Sequence, residues 1–237
     1  ERTASKSQQA DDGEFSRKID SQDEDIGSRA VIRNARELVW YPSEVDTSIR
    51  TGWFYHPEED TDVRTADELL DIYLDAVGAN ASLLLNIPPD THGHIAAPDC
   101  ASLAELGAKI QQIFTGNVTE KAEITADSAI AQHPIIQAVD GMANTYWQAA
   151  YGQESDTITL NFPKPQKVSC VVLGEHLPTG QRIESGEIWA DGSKVAEFTV
   201  VGHKRICRFA PVEVLTLTIK ITASRTEPTL RLLEVYQ

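Results

Sequence analysis

Apolar and polar positions follow three patterns along the chain. Residues 1–28 are mostly Ser, Gln, Asp, Glu, Lys and Arg with hardly an apolar residue. Burial there cannot repay the entropy of ordering, so residues 1–30 are expected to be a polar loop or a disordered end. RAVIRNARELVWY then passes from a short helical pattern (Val31, Ile32, Ala35) into Leu38-Val39-Trp40-Tyr41, which predicts a strand closed by Pro42. PSEVDTSIRTGWFYHPEED has no period and mixes acids, Arg and large aromatics, the texture of a loop carrying function. Thr65-Ala66-Asp67-Glu68 fits a capping box that opens a helix. Leu69, Leu70, Ile72, Tyr73, Leu74, Ala76 and Val77 give that helix a broad apolar face, and Gly78 stands where a left-handed cap is expected. Ser82–Ile87 has no alternation, which predicts a strand buried on both faces, stopped by Pro88-Pro89. A second helix is predicted over about Asp99–Phe114, with Leu103, Leu106, Ile110 and Ile113 on one face. Strand, helix, strand, helix implies right-handed βαβ packing, with function in the loops after the strands, residues 43–60 and 87–97.

From Asn117 the texture becomes short β-rich runs: Thr157–Phe162, Val168–Leu173, Ile183–Ala190, Lys194–Val200, Ile206–Phe209, Leu215–Ile221 and Thr229–Tyr236. Regular short strands predict a β-sandwich, with Asp191-Gly192 as one hairpin turn. The expected organisation is therefore a polar end over 1–30, an α/β unit over 31–117 and an all-β unit over 118–237.

The composition is that of an ordinary globular protein, 41% apolar with 14 Gly and 11 Pro in 237 residues. The formal charge of −15 repels polyanions, so nucleic acid and anionic membranes are not expected partners. Ten basic and 22 acidic side chains precede Asn117, so the acidity belongs to the first half. No run approaches the roughly 18 apolar residues of a membrane helix, and no charged-then-apolar secretion pattern or other targeting signal is visible. Cys100, Cys170 and Cys207 are widely spaced without a CxxC or Cys/His cluster and read as buried small hydrophobes. His92 and His94 are spaced like a metal pair but have no third ligand at a natural spacing, and read as surface loop.

WYPSEVDTSIRTGWFYH at 40–56 and LLDIYLDAVGANASLLLNIPPDTHG at 69–93, with the spacing between them, resemble the C-terminal half of the catalytic barrel of retaining α-L-fucosidases of glycoside hydrolase family 29. The form of the first motif is most similar to the subfamily selective for branched α-1,3/1,4-linked fucose. AVDGMANTYWQA at 138–149, GEHLPTGQRI at 174–183 and HKRICRF at 203–209 resemble the discoidin-type (factor 5/8 C-terminal) sandwich that follows the barrel in those enzymes. The resemblance implies the C-terminal part of a (β/α)₈ barrel followed by a galactose-binding-like β-sandwich. It also implies release of L-fucose from fucosylated oligosaccharides or glycoconjugates, no catalytic cofactor, and action at a secreted, periplasmic or cell-surface location. A (β/α)₈ barrel takes about 250 residues and only about 85 barrel-like ones are present. The resemblance further implies that the nucleophilic Asp lies on an upstream strand, in an N-terminal barrel portion expected to accompany this chain. The competing reading is a non-catalytic carbohydrate-binding or structural fragment.

Retaining hydrolysis needs two carboxyl groups. Glu44 is the candidate acid/base here, expected just after a strand end among Trp40, Tyr41 and Trp53. In one branch of the family the acid/base aligns with it, and in the other it lies on an earlier loop. Glu44 pairing with Arg50, or serving structure alone, are the alternatives. Trp53 offers a flat platform for the methyl-bearing face of fucose; its bland reading is a core Trp. Asp46 and Arg50 either brace the loop by pairing or point to sugar hydroxyls, and His56 is a further candidate sugar contact. Asp140 and Asn144 lie on a turn resembling one that holds a structural Ca²⁺ in related modules. Trp147 and Trp189 read as core.

Overall fold

The computed structural model describes residues 28–33 and 43–237. The expected strand Leu38–Tyr41 lies outside the described residues, as do 1–27. Helix α1 (Arg29–Ile32) falls within the expected helical pattern, tied to the later half by Arg29, whose Nε donates to Glu184 at 2.8 Å.

Strand β1 (Glu44–Ser48) runs parallel to β2 (Ser82–Asn86), with Glu44 beside Ser82 and Ser48 beside Asn86. Helix α2 (Ala66–Val77) joins them and α3 (Ala97–Ile113) follows. β1 thus occupies residues expected to be loop. Its alternating Glu-Val-Asp-Thr-Ser holds one strongly apolar position, too weak a strand signature until β2 supplies the ladder. The capping box forms as expected: Glu68 N donates to Thr65 Oγ1 and Thr65 N donates to Glu68 Oε2. Gly78 departs from expectation. It is right-handed (φ −74°), and the left-handed residue is Asn80 (φ 71°). Gly78 is required for closeness instead, since a Cβ there would lie 3.0 Å from the Cβ of Ile206 and overlap the Leu74 carbonyl.

Ile49, Leu69, Leu70 and Leu106 form the core of this unit, with Leu74, Leu85, Leu103 and Ile110 packed on it. Both helices cover the same face of the strand pair. The other face, bearing Glu44, Asp46 and Leu84, is open, and Leu84 keeps 51% of its surface exposed. The expectation that β2 is buried on both faces therefore fails.

The rest is mostly β. A six-stranded antiparallel sheet has the order β10-β5-β8-β6-β7, with β3 also on β5. Its strands are β3 (Glu123–Ala126), β5 (Asp156–Gly174), β6 (Ile183–Ala190), β7 (Ser193–Phe198), β8 (Arg205–Ser224) and β10 (Leu232–Tyr236). A short pair, β4 (Trp147–Gln148) and β9 (Thr229–Leu230), makes a second layer. Trp147 and Leu230 of this layer share one core with Ile158, Leu160, Leu217 and Ile219 of the large sheet. Four runs expected as separate strands are two long bent ones. Register breaks between Asn161 and Gln166 and between Val168 and Cys170 interrupt the β5–β8 ladder without ending it. Pro163 and Pro165 sit in the first break, where no ladder N–H is available. Asp191 (φ 44°) and Gly192 (φ 82°) make the expected hairpin turn with two left-handed residues. Glu175, buried, ties two connections together by accepting the amides of Arg182 and Ile183 on Oε1 and that of Gly202 on Oε2, at 2.7–2.9 Å.

The two units meet along a seam after α2. Ile206 N donates to the Gly78 carbonyl, Ala79 bridges Arg205, and His203 N donates to Asn80 Oδ1 at 2.6 Å. Tyr236 meets Phe114 edge to face across it, and Tyr73 meets the same Phe114 edge to face from within the α/β unit.

Candidate active site at the strand tips

The tips of β1 and β2 hold a loop, residues 49–60, that carries most of the candidate residues. Arg50 organises it from below. Its Nε donates to Asp99 Oδ2 at 3.1 Å, and Nη2 to Asp60 Oδ1 at 2.7 Å, while Nη1 donates to the His56 carbonyl. Asp99 Oδ1 lies 3.0 Å from Nη2 but out of line for a hydrogen bond, so that contact is ionic. The guanidinium also lies 4.8 Å from the Tyr55 ring centre. Burial works to discharge Arg50, but the hydrogen bonds and charges of Asp99 and Asp60 more than offset it and raise its pKa. Arg50 therefore pairs with neither Asp46 nor Glu44, because the first turn of α3 offers a fully buried carboxylate at the right depth. Its side chain is wholly buried and is not placed to reach a sugar hydroxyl.

From above, Asn86 at the tip of β2 fixes the same loop. Its Nδ2 donates to Ser48 Oγ at 3.1 Å and to the Trp53 carbonyl at 3.0 Å. Ser48 Oγ in turn donates to the Gly52 carbonyl at 2.7 Å. With these carbonyls bound to the strand tips, the rings beyond them stay in solvent: Trp53 is 51% exposed and Phe54 78%. Trp53 is therefore no core residue. His56 is exposed, with its carbonyl held by Arg50.

Glu44 opens β1, and the strand end expected before it lies outside the described residues. Glu44 and Asp46 point from the open face of the strand pair, both exposed. The reading in which Glu44 pairs with Arg50 is overturned, since the guanidinium is already occupied. Asp60, Asp99, Ser48 and Asn86 were not singled out by sequence reasoning. Asp99 read only as a helix start, and nothing in spacing links Asn86 to a loop 33 residues earlier.

Elsewhere, Asp140 Oδ1 accepts from Met142 N and from Thr145 Oγ1, both at 2.8 Å, and Thr145 Oγ1 also donates to the Met142 carbonyl. The turn thus gathers carboxylate, hydroxyl and carbonyl oxygens, the donor types a hard cation takes. Asn144 sits exposed on it. Among the described residues no three His, Cys, Asp or Glu side chains cluster to hold a metal, and His92 and His94 are exposed. Trp147 is core as expected. Trp189 is not: it lies half-buried on the outer sheet face, its indole N–H donating to Glu187 and Lys220 above its ring. Cys170 and Cys207 are buried, whereas Cys100 is exposed. Asn80, which begins an Asn-Ala-Ser glycosylation sequence, is buried in the seam. A crevice of about 490 Å³ lies along that seam between Asp71, Asp75, Arg205 and Arg208, and reads as a joint with mixed charge. No helix among the described residues is long and apolar enough to cross a membrane.

Comparison with known proteins meets this geometry. The family described as Alpha-L-fucosidase matches residues 8–112. Alpha-L-fucosidase 1 of Arabidopsis thaliana is 31% identical over 208 residues, 83% of this chain and 41% of its own. A Ruminococcus gnavus GH29 fucosidase solved in complex with fucose superposes with a TM-score of 0.79 at 26% identity, covering 87% of this chain and 43% of that one. SpGH29 superposes with a TM-score of 0.78 at 29% identity, covering 84% and 45%. The chain thus spans about two-fifths of the length of the curated relatives it matches. Over that span it is similar to the C-terminal portion of α-L-fucosidases of glycoside hydrolase family 29.

Proposed function

We propose that this chain is the C-terminal portion of a retaining α-L-fucosidase that releases L-fucose from fucosylated glycans. In this reading β1, α2, β2 and α3 complete a (β/α)₈ barrel whose nucleophile-bearing strands belong to the N-terminal portion. The observation that carries it is the one-sided cover of the β1–β2 pair. Helices pack on one face only, and the open face bearing Glu44, Asp46 and Leu84 is what becomes the interior when a parallel sheet closes on itself. Strands left with an open edge and face are not expected to stand alone in water.

Retaining hydrolysis proceeds through a glycosyl-enzyme intermediate. A carboxylate attacks the anomeric carbon as a carboxylic acid protonates the departing oxygen, and the same group, now a base, takes a proton from water to release the sugar. The chain's own share is the Trp53 platform, the loop that presents it, and Glu44 as the candidate proton donor on the inward face. The Asp140 turn is offered as a structural Ca²⁺ site in the sandwich, supported by its three types of oxygen donor.

The test is to assay hydrolysis of an aryl α-L-fucoside by the purified 237-residue chain and by the same chain joined to the N-terminal barrel portion. Turnover by the joined protein alone supports the reading. Turnover by the isolated chain, or by neither, overturns it in favour of a different catalyst or of a non-catalytic fragment.

A further inference from the structure

We propose that Asn86 is a positioning residue for Trp53, holding the exposed indole platform at the angle in which it receives the sugar. The inference rests on the fucosidase reading for what binds there, and on geometry alone for what Asn86 does. Asn86 ends β2, and its backbone carbonyl still accepts Ile49 N at 3.0 Å, so the residue is anchored by the ladder. Its side chain leaves the ladder and donates twice, to Ser48 Oγ and to the Trp53 carbonyl. Ser48 Oγ accepts from Arg50 N at 3.3 Å as well, and donates to the Gly52 carbonyl. One amide thus ties both strand tips to the two peptide units on either side of the Trp53 Cα.

Nothing else among the described contacts holds this peptide. Arg50 grips the loop at His56 and Asp60, beyond the aromatic pair, while Trp53 and Phe54 themselves are largely in solvent. An exposed ring gains no fixed orientation from packing, so its angle follows the backbone that bears it. A platform fixed before the ligand arrives avoids the ordering cost of binding. Stacking that is present in both ground and transition states lowers KM and leaves kcat nearly unchanged. Asn86 should therefore act on KM, and through Trp53.

The experiment uses the full-length enzyme with 5-fluorotryptophan, the Trp53 fluorine resonance being assigned by its loss in Trp53→Phe. Asn86→Asp keeps the shape but offers an acceptor where the Trp53 carbonyl needs a donor, and Asn86→Ser removes the reach. Both should shift or broaden the Trp53 resonance and leave the other tryptophans in place. Both should raise KM for an aryl fucoside roughly tenfold, the size of a lost hydrogen bond or two, with kcat little changed. On a Trp53→Ala background neither should raise KM further. An unmoved Trp53 resonance, a KM effect that adds to that of Trp53→Ala, or unfolding of both variants would overturn the proposal. A wild-type enzyme with no turnover would sink the fucosidase reading while the fluorine result still decides the role of Asn86.

Discussion

The guanidinium of Arg50 and the carboxylate of Asp99 meet at 3.0–3.1 Å with both side chains entirely out of solvent, 49 positions apart in sequence. Removing one member of such a pair leaves a buried charge without its counterion. Asp99→Asn and Arg50→Lys are each expected to cost about 3–5 kcal/mol of stability. The lysine fails because a single ammonium cannot reach Asp99, Asp60 and the His56 carbonyl together. Asp60→Asn should cost much less, since Asp60 keeps 38% of its side chain in water. Denaturant midpoints check the order; equal losses at Asp60 and Asp99 would contradict it.

Stability should also depend on pH through Glu175. Burial pushes this carboxyl from 4.5 up to about 7, against the three amides that donate to it. Between those values the folded protein holds a proton that the unfolded chain has released, so stability is fullest below pH 4.5 and falls as pH rises through about 7. Glu227, held down to about 2 by the Gly152 amide and the Thr226 hydroxyl, works with the opposite sign and only below 4.5. Melting temperature should therefore decline from pH 5 to 7.5, and Glu175→Gln should flatten that slope while lowering the whole curve. A slope retained in the glutamine variant would point to another group.

Trp53→Ala should separate binding from folding. Half of the ring is already in water, so the full-length variant should melt near the wild-type temperature. Competitive inhibition by a fucose-like iminosugar should weaken markedly. Loss of folding without a separable loss of binding would refute the platform.

Glu44→Gln tests the proton donor. As the general acid, its loss should slow fucosylated oligosaccharides far more than an activated aryl fucoside, whose phenolate leaves with little protonation. Azide should then restore turnover of the activated substrate, because it attacks the glycosyl-enzyme without needing a general base. Equal slowing of both substrates without rescue by azide would assign the role to an upstream glutamate.

Helix α2, β2, α3 and the Asp191-Gly192 turn were legible in sequence because each is specified locally, by a capping box, an apolar run or a pair of turn residues. What was not legible depends on partners distant in the chain. β1 is a strand because β2 lies beside it, and Arg50 is a brace because Asp99 reaches it. Gly78 and Asn80 are constrained by β8 and the loop that leads into it, more than 120 positions later. The long strands β5 and β8 read as fragments because their register breaks carry prolines and polar residues, which resemble turns when the neighbouring strand is out of view. Within the candidate site the aromatic residues of the loop were visible in the sequence, but the Asn86 and Ser48 bonds that hold the Trp53 backbone were not.

The seam through Gly78, Ala79 and Asn80 bears on how such proteins can be recombined. Its specificity is written on both sides: a glycine that admits Ile206, an asparagine whose side chain fills the space beside Gly202, and a backbone bridge to Arg205. A chimera that exchanges the C-terminal module at residue 117 would leave half of this joint behind. Inheritance of the two units as a matched pair follows, and a successful graft has to carry residues 78–80 along with the module that reads them.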